Sequence, residues 1–434
     1  MNGKIRVCFV SVVLTLTLYP MVSTEPMVYD PLDGGWLEDI DGVSILHVSG
    51  SFYEMGYQQG YLLRDDILEN MRAFLDMYAY FDWDYDDVCE VWTVQEHYLP
   101  DEYKQEIQGM ADGAGLSYEE VAVHNTWMGV FNHLHSCWGA SLWGHATADG
   151  ELLHLRSVDG VNTIHDPVTG TGLYENQVII VRDPDDALAS LAPIFAGDIL
   201  SIGGFNEQGV AVSELTVIGT DTTFHGINAG YRMRMVLDRA DDCYEAVEIM
   251  NANRTCCWNF IISDGKIPMG FALEQSANLA YVNTWFDPVE STDPFWAIED
   301  VVRRGNFFIT PALAAFQRET YDPSGLQGYL RMMLGVDSTF APWTQYKAIS
   351  DEIEKRYGVL DISTAVALLQ NVYRGKTDLI FRLILTKQTH TGRQWVACPV
   401  TGDIHIRFSE HGEEAYLIPA KCFNLYDLLK RGPP

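Results

Sequence analysis

The sequence has few cysteines and few basic residues. Cysteine occurs eight times in 434 residues, and no two cysteines form a Cys-x-x-Cys pair. The missing pair disfavours both a zinc site of paired cysteines and a thioredoxin-like redox motif. Lysine and arginine total 28 against 60 acidic residues, which gives a formal charge of −32. Because phosphate binding requires clustered basic side chains, this balance argues against nucleic acid as a partner.

The sequence also lacks internal repeats, low-complexity tracts and a linker rich in proline, glycine or serine. Composition therefore marks no boundary between independent domains, and one compact unit is the simpler interpretation. A hydrophobic content of 47% with 20% charged residues is typical of a globular protein. After residue 24, no apolar run is long enough to span a bilayer.

Residues 1–24 have the pattern of a signal peptide. Lys4 and Arg6 precede an apolar stretch over 7–22, which is followed by small or polar residues. This stretch is shorter than the roughly 20 residues of a spanning helix, so a retained membrane anchor is the less favoured alternative. We therefore expect an exported protein, secreted or extracytoplasmic. In such a compartment the cysteines could pair as disulfides, whose connectivity the sequence does not give.

Apolar periodicity predicts a helix first and strands later. Ser51 and Glu54 have capping-box spacing, and the apolar residues that follow at helical intervals predict a long helix over 52–79. The other predicted elements are strands at 138–144, 151–157, 177–182, 199–203 and 209–214, helices at 230–238 and 241–251, a hairpin of 258–263 and 268–274, a helix at 362–373, and strands at 378–386, 394–398 and 403–408. Strands, then helices, then strands indicate a layered α+β architecture.

Cys137 opens the first of these strands. Antiparallel pairing across the turn that follows would set Cys137 opposite residue 158 or its neighbours. Arg156 and Asp159 then lie beside the thiol without any further assumption about the fold. A guanidinium near a thiol favours the nucleophilic thiolate, and a carboxylate can hold an ammonium group in position. The alternative is a buried structural cysteine near a surface Arg–Asp pair, which spacing alone favours.

A metal site is the main alternative for catalysis, because several histidines lie near Cys137 in the sequence. These are His124, His133, His135, His145 and His154. No His-Glu-x-x-His or equivalent carboxylate spacing accompanies them, so we expect no metal. A papain-like enzyme would combine Cys137 with a distant histidine, but the local cysteine signature of that family is absent.

The run over 136–159, SCWGASLWGHATADGELLHLRSVD, resembles the nucleophile region of the penicillin acyltransferase-like family of autoproteolytic N-terminal-nucleophile hydrolases. The shared pattern is a cysteine that opens a strand, a hairpin of the ATADG type, and then Arg-x-x-Asp. Bile salt hydrolases, acid ceramidase and N-acylethanolamine acid amidase are broader relatives of that family. Further similarity appears at 50–60, 203–214, 259–265, 303–308 and 395–409. Together these segments extend the resemblance over most of the chain after residue 24.

The resemblance implies an α+β fold, a four-layer α/β/β/α sandwich, and maturation by self-cleavage of the Ser136–Cys137 bond. Residues 25–136 would then form a mostly helical small chain that stays associated with a catalytic domain over 137–434. Self-association of the two cleavage fragments is therefore expected. The enzyme would need no cofactor.

The resemblance also implies the roles of four residues. Cys137 would be the nucleophile, and its free α-amine, with a reference pKa of about 8, would be the general base. Arg156 would orient and polarise the thiolate, and Asp159 would bind the α-ammonium. Asn306 would donate its amide N–H to the tetrahedral oxyanion; its alternative is a loop residue that caps a helix.

The substrate implied by the resemblance is a small molecule with a linear non-peptide amide. Its acyl group would form a thioester at Cys137 and pass to water, or to an amine or thioester acyl partner. Bile salt hydrolases place an oxyanion asparagine in the segment that matches VAVSELTV, where this chain has Glu214 and Thr216, so the second oxyanion donor is unassigned. The alternative function is a noncatalytic exported ligand-binding protein on the same fold, which would remain uncleaved.

Overall fold

The computed structural model describes residues 30–130, 137–160, 164–317, 321–334, 339–374 and 390–434. The predicted signal peptide, Ser136 and the predicted strand over 378–386 lie outside these ranges. Residues 31–434 group into one unit. The cysteines within the described ranges are all free thiols, and none of the helices there is both long and apolar enough to cross a membrane.

Fifteen strands lie within the described residues. They are β1 (Trp36–Ile40), β2 (Val43–Gly50), β3 (Trp138–Leu142), β4 (Leu153–Gly160), β5 (Gln177–Pro184), β6 (Ser190–Phe195), β7 (Gly203–Asn206), β8 (Val210–Thr216), β9 (Trp258–Asp264), β10 (Met269–Gln275), β11 (Ala280–Asn283), β12 (Val301–Arg304), β13 (His390–Cys398), β14 (Asp403–Phe408) and β15 (Lys421–Asn424).

Thirteen α-helices lie within the same ranges. They are α1 (Phe52–Leu62), α2 (Arg64–Tyr80), α3 (Tyr85–Gln95), α4 (Asp101–Ala114), α5 (Tyr118–His124), α6 (Trp127–Val130), α7 (Ala229–Arg239), α8 (Cys243–Asn251), α9 (Pro311–Ala314), α10 (Leu326–Met333), α11 (Phe340–Lys355), α12 (Ile362–Arg374) and α13 (Leu425–Leu428).

The strands form two sheets. The nine-stranded sheet has the order β1-β2-β5-β6-β7-β8-β9-β10-β11, and the six-stranded sheet has the order β12-β3-β4-β13-β14-β15. Strand β2 pairs with β5 in parallel, so the chain before residue 131 contributes two strands to the edge of the larger sheet. Thirteen of the strands come after Cys137.

Alternation along the strands shows how the layers stack. On β5, Ile179 packs toward the six-stranded sheet in a cluster with Trp395, whereas its neighbour Ile180 packs in the cluster that contains the helices of the first 130 residues. On β13, Val396 packs instead with residues of α11 and α12 such as Leu368. Because successive strand residues face opposite sides of a sheet, each sheet has one face toward the other sheet and one toward helices. The predicted four-layer α/β/β/α sandwich is confirmed.

Helices α1 and α4 meet through glycines. These are Gly56 and Gly60 on α1 and Gly109 and Gly113 on α4. A Cβ added at Gly56 would lie 2.0 Å from the carbonyl oxygen of Glu106, and one added at Gly109 would meet the backbone of α1 equally closely. The two backbones are therefore in direct contact, which fixes the helical layer on the larger sheet.

The predicted helix over 52–79 appears as α1 and α2, separated by Leu63, whose φ of −112° and ψ of 22° leave the helical region. The capping box is confirmed, because Ser51 Oγ accepts from Glu54 N and Glu54 Oε2 accepts from Ser51 N. The strand predicted over 199–203 is wrong: this stretch is a loop that ends at β7. Strand β6 was not predicted at all.

Candidate active site

Cys137 directly precedes β3, and the hairpin of β3 and β4 has the predicted register. Trp138 lies opposite Ser157, so the next position along places Cys137 opposite Val158. The thiol donates to the backbone oxygen of Asp159, with an S···O distance of 3.7 Å. Cys137 is only 2% exposed, so its thiol lies in a largely water-free environment.

Arg156 reaches from β4 toward both the thiol and the larger sheet. Its guanidinium is fully buried and hydrogen-bonds the side chain of Cys137. Its Nη2 donates to Glu214 Oε1 at 2.6 Å, and its Nη1 donates to the backbone oxygen of Trp138 at 3.3 Å. Glu214 belongs to β8, so this buried ion pair joins the two sheets directly beside the thiol.

Burial raises the pKa of the Cys137 thiol to about 11. The Arg156 guanidinium opposes this rise, while the carboxylates of Glu214 and Asp159 add to it. Arg156 thus acts on the thiol in the expected direction, toward the thiolate, but burial has the larger effect on the pKa. Because burial outweighs one guanidinium that is itself paired with Glu214, the thiol keeps its proton at neutral pH and needs a base to lose it.

The carboxylate of Asp159 is held by neutral donors. Tyr373 Oη donates to its Oδ2 at 2.5 Å, Gln345 Nε2 to the same atom at 3.3 Å, and Ser157 Oγ to Oδ1 at 3.2 Å. A side-chain hydrogen bond from Thr391 is also present. Burial nevertheless raises the pKa of Asp159 to about 7, because these bonds only partly offset it. A buried carboxyl of this kind would gain from a cationic partner.

Asn306 lies in the loop after β12, beside β8. Its Nδ2 donates to the backbone oxygen of Thr216 at 2.8 Å, and its Oδ1 has no hydrogen-bond partner within the described part of the chain. The alternative role as a helix cap is not observed, because Thr310 occupies the N-cap position of α9. Asn306 therefore contacts Thr216, which lines a cavity beside Cys137.

A cavity of about 40 Å³ lies against Cys137. Glu214 and Thr216 supply polar atoms to its wall, and the remaining lining is apolar or aromatic. The other lining residues are Phe74, Met77, Trp127, Val158, Leu173, Tyr174, Phe195, Ile202 and Trp258. The helices before residue 131 and the sheets after residue 136 thus form the cavity together, with the thiol at its wall.

His154 lies at the contact between the two sheets. Its ring nitrogens pair with Ser213 Oγ at 2.8 Å and Ser263 Oγ at 2.7 Å, and the ring stacks on Trp395 at 5.0 Å. Burial lowers the pKa of His154 to about 3, with the nearby Arg156 adding to the effect. His154 is therefore a neutral structural residue.

Of the other histidines near Cys137 in the sequence, the structure describes His124 and His145. His124 is buried on α5, and His133 and His135 lie outside the described residues. Exposed His145 has ligand atoms close to those of Glu299 and Asp300, the one group in the described ranges with a spacing suited to a cation. This group lies at the turn end of the hairpin, whereas Cys137 lies at the opposite end of β3.

Sequence reasoning missed several side chains of the site. Glu214 was noted only as a departure from the asparagine of bile salt hydrolases, and nothing marked it as the partner of Arg156. Tyr373 is the last residue of a predicted helix, without any signal that it would reach Asp159. Arg393 is fully buried above the face of Phe195, 4.5 Å from the ring centroid, and burial lowers its pKa to about 10.

Comparison with known protein families finds no matching family model. Among curated proteins, the chain is 25% identical over 321 residues to an uncharacterized protein of Archaeoglobus fulgidus, which is 64% of this chain and 52% of that protein. It is 22% identical over 300 residues to protein dcd1B of Dictyostelium discoideum, covering 61% of this chain and 57% of that protein. The match therefore spans little more than half the length of these relatives.

Two solved structures show a partial likeness. One is a mutant of the conjugated bile acid hydrolase from Clostridium perfringens, with a TM-score of 0.41 and 13% identity, covering 67% of this chain and 93% of that one. The other is the Caenorhabditis elegans ortholog of N-acylethanolamine-hydrolyzing acid amidase, with a TM-score of 0.37 and 13% identity, covering 61% and 93%. Because no family model matches, the penicillin acyltransferase-like assignment stays a prediction.

Proposed function

We propose that this protein is an amide hydrolase or acyltransferase whose nucleophile is the Sγ of Cys137. The observation that carries the proposal is the position of this thiol: it directly precedes β3, lies in the wall of an apolar cavity, and is close to both Arg156 and Asp159. A structural cysteine would need neither the cavity nor a buried ion pair beside it. The bond cleaved is a linear non-peptide amide.

The raised pKa of the thiol supports an N-terminal base. At a thiol pKa of about 11, only about one molecule in 10,000 would carry a thiolate at pH 7. An α-amine on the same residue could take this proton at the moment of attack. Such an amine exists only after cleavage of the Ser136–Cys137 bond, which we therefore include in the proposal.

Maturation follows from the same chemistry. Sγ of Cys137 attacks the carbonyl carbon of Ser136, the peptide nitrogen leaves with a proton, and a thioester joins the two residues. Water then adds to the thioester, which releases the Ser136 carboxylate and the free thiol of Cys137, whose former peptide nitrogen is now its α-amine. The ammonium form of this amine would pair with the carboxylate of Asp159, a residue whose backbone oxygen already lies 3.7 Å from the sulfur of Cys137.

In turnover, the α-amine accepts the thiol proton while Sγ attacks the substrate carbonyl carbon. The resulting ammonium returns a proton to the leaving amine as the C–N bond breaks, and the acyl group stays on Sγ as a thioester. Water completes hydrolysis, whereas an acceptor amine completes acyl transfer. Arg156 holds the sulfur in position, and Asn306 is the proposed oxyanion donor. The proposal that the protein is exported rests only on the signal-peptide pattern of residues 1–24.

Mass spectrometry of the purified protein tests the proposal. The wild type should give two fragments, the second beginning at Cys137, and Cys137→Ala should remain a single chain with no amidase activity. Cys422→Ala, which removes an exposed thiol on β15, is the matched control and should be cleaved normally. N-acyl amino acids, N-acyl amines and β-lactams form the substrate panel. An intact wild-type chain whose amide hydrolysis survives Cys137→Ala would contradict the proposal and favour a binding protein.

A further inference from the structure

A second cavity lies behind the cavity of Cys137, within the helical layer. Its volume is about 150 Å³. The lining residues are Leu68, Met71, Arg72, Phe74, Leu75, Tyr78, Tyr85, Leu116, Glu120, Val123 and His124. Among the described residues, Phe74 is the only one that lines both cavities. Its side chain is therefore a shared wall.

Aromatic side chains pack against the Phe74 ring from both cavities. Phe74 lies on α2, is 1% exposed, and packs edge-on against His124 with ring centroids 4.7 Å apart. On the side of the Cys137 cavity, it contacts Trp127 at 5.6 Å and Phe195 at 5.8 Å. Three aromatic neighbours leave the ring little freedom to swing aside, so the two cavities stay separate.

The polar residues of the second cavity do not make it hydrophilic. Arg72 donates to both carboxylate oxygens of Asp166, from Nε at 2.8 Å and from Nη2 at 2.6 Å, so its charge is already paired. Burial lowers the pKa of His124 to about 3, which leaves its ring neutral. The carboxylate of Glu120 accepts from Ser117 N at 2.8 Å and from Ser117 Oγ at 2.7 Å. The other lining residues are aliphatic or aromatic, so this space suits a hydrocarbon chain.

We propose that the acyl group of the substrate occupies the cavity beside Cys137 and that Phe74 limits its length. This inference rests on the proposed function. A dry apolar cavity of about 150 Å³ holds benzene, which corresponds to about 25 Å³ per carbon. The 40 Å³ beside the thiol then holds about two carbons beyond the carbonyl. The substrate class is therefore an amide of a short apolar acid, and Phe74 separates the acyl site from the second cavity.

Removal of the Phe74 ring joins the two cavities and adds space for about six more carbons on the same volume scale. Each methylene that moves from water into such a site favours binding about fourfold. Phe74→Ala should therefore raise the ratio of kcat/KM for octanoyl over butyryl substrates by up to about 250-fold, because four methylenes become buried. Phe74→Leu should give a smaller shift in the same direction.

The catalytic test uses 4-nitroanilides with acyl groups from acetyl to octanoyl. The wild type should prefer acyl groups of two to four carbons, and Phe74→Ala should prefer longer ones. Phe205→Ala is the matched control, because Phe205 is equally buried but lies in a different core cluster and lines neither cavity. Its chain-length profile should equal that of the wild type. A wild-type optimum at eight carbons, or an unchanged profile in folded Phe74→Ala and Phe74→Leu, would overturn the inference.

A binding test separates this inference from the proposed function. In the Cys137→Ala protein, butyramide and octanamide are titrated while the intrinsic tryptophan fluorescence is followed, to which Trp127 and Trp258 in the cavity wall contribute. Butyramide should bind more tightly, and addition of Phe74→Ala should reverse the order. This result supports the assignment of the acyl cavity whether or not the protein hydrolyses any anilide. If no anilide is hydrolysed, only the proposed function is contradicted. Absence of binding by either amide contradicts the cavity assignment itself.

Discussion

In the uncleaved protein, we expect the carboxyl group of Asp159 to make stability fall as pH rises from 5 to 8. Burial raises its folded-state pKa from 3.8 to about 7. A carboxyl group with a raised folded pKa stabilises the protein below its unfolded pKa, and this contribution is lost as pH rises through the folded pKa. The Asp159→Asn variant does not titrate, so it should show a flatter pH dependence.

The size of the expected change in unfolding free energy follows from the shift in the pKa of Asp159. A pKa rise of about three units corresponds to about 4 kcal/mol in total, of which about 2.5 kcal/mol falls between pH 5 and pH 8. The free energy of unfolding in the Cys137→Ala background should therefore decrease over this range by about 2.5 kcal/mol more than in the same background with Asp159→Asn. The Asp159→Asn comparison cancels the contributions of other titrating groups.

Urea unfolding at pH 5 and pH 8 measures this difference in the uncleaved background. Asp221→Asn is the control, because hydrogen bonds from Ser276 and Asn278 lower the pKa of Asp221, so it stays ionised over this range. Its pH dependence should match that of the parent. Equal pH dependence with and without Asp159→Asn would refute the reasoning.

The raised pKa of Asp159 also predicts that the pH dependence of Tm differs between the uncleaved and the cleaved protein. After cleavage, the α-ammonium of Cys137 would pair with Asp159 and lower its pKa, which removes the loss of stability toward pH 8. The Tm of cleaved wild type should therefore fall less between pH 5 and pH 8 than that of Cys137→Ala. For a unit of about 400 residues, 2.5 kcal/mol corresponds to about 3 °C.

Three further substitutions have defined expectations. Glu214→Gln removes a charge that raises the pKa of the Cys137 thiol, so this pKa should fall by about one unit, seen as faster alkylation by iodoacetamide at pH 8. Arg156→Met leaves Glu214 buried without its counter-charge and should cost about 3–5 kcal/mol in urea unfolding, whereas Arg156→Met with Glu214→Gln should cost less. Gly56→Ala pushes a Cβ into the backbone of α4 and should cost about 1–3 kcal/mol, while Gly432→Ala, which meets nothing within 4 Å, should leave Tm unchanged.

The hairpin that carries Cys137 could be predicted closely because its information is local. Turn residues at 145–150 and alternating strands on either side fix which residues face each other, and a slip by one residue would turn every side chain to the wrong face. The proximity of Arg156 and Asp159 to Cys137 follows from this register alone. Strands with such local turn signals are the elements that sequence reasoning placed best.

The strand predicted over 199–203 is a loop for a physical reason. Ile199 and Leu200 are buried and apolar, as in a central strand. Their backbone N–H groups, however, donate to the side-chain oxygen of Asn125, at 2.7 and 3.4 Å, instead of to a neighbouring strand. An apolar run indicates burial, but it does not indicate which group satisfies the backbone. That information lies 74 residues earlier in the chain.

The partners of the site residues could not be predicted for a related reason. Glu214 lies 58 residues from Arg156, and Tyr373 lies 214 residues from Asp159. Their contacts depend on how two sheets and an outer helix stack, which periodicity does not specify. Sequence patterns thus placed Cys137, Arg156 and Asp159 on one hairpin, whereas the carboxylate of Glu214 and the phenol of Tyr373, which shift the pKa values of Cys137 and Asp159, come from distant elements.

The composition of the cavity wall has a consequence for how such an enzyme could vary. Phe74, Met77 and Trp127 precede the proposed cleavage point, whereas Cys137 and Arg156 follow it. In a cleaved heterodimer, one polypeptide would therefore carry the chemistry and the other would carry much of the acyl recognition. Substitutions that retune acyl preference could then accumulate in the small chain alone, without change in the polypeptide that bears the reactive sulfur.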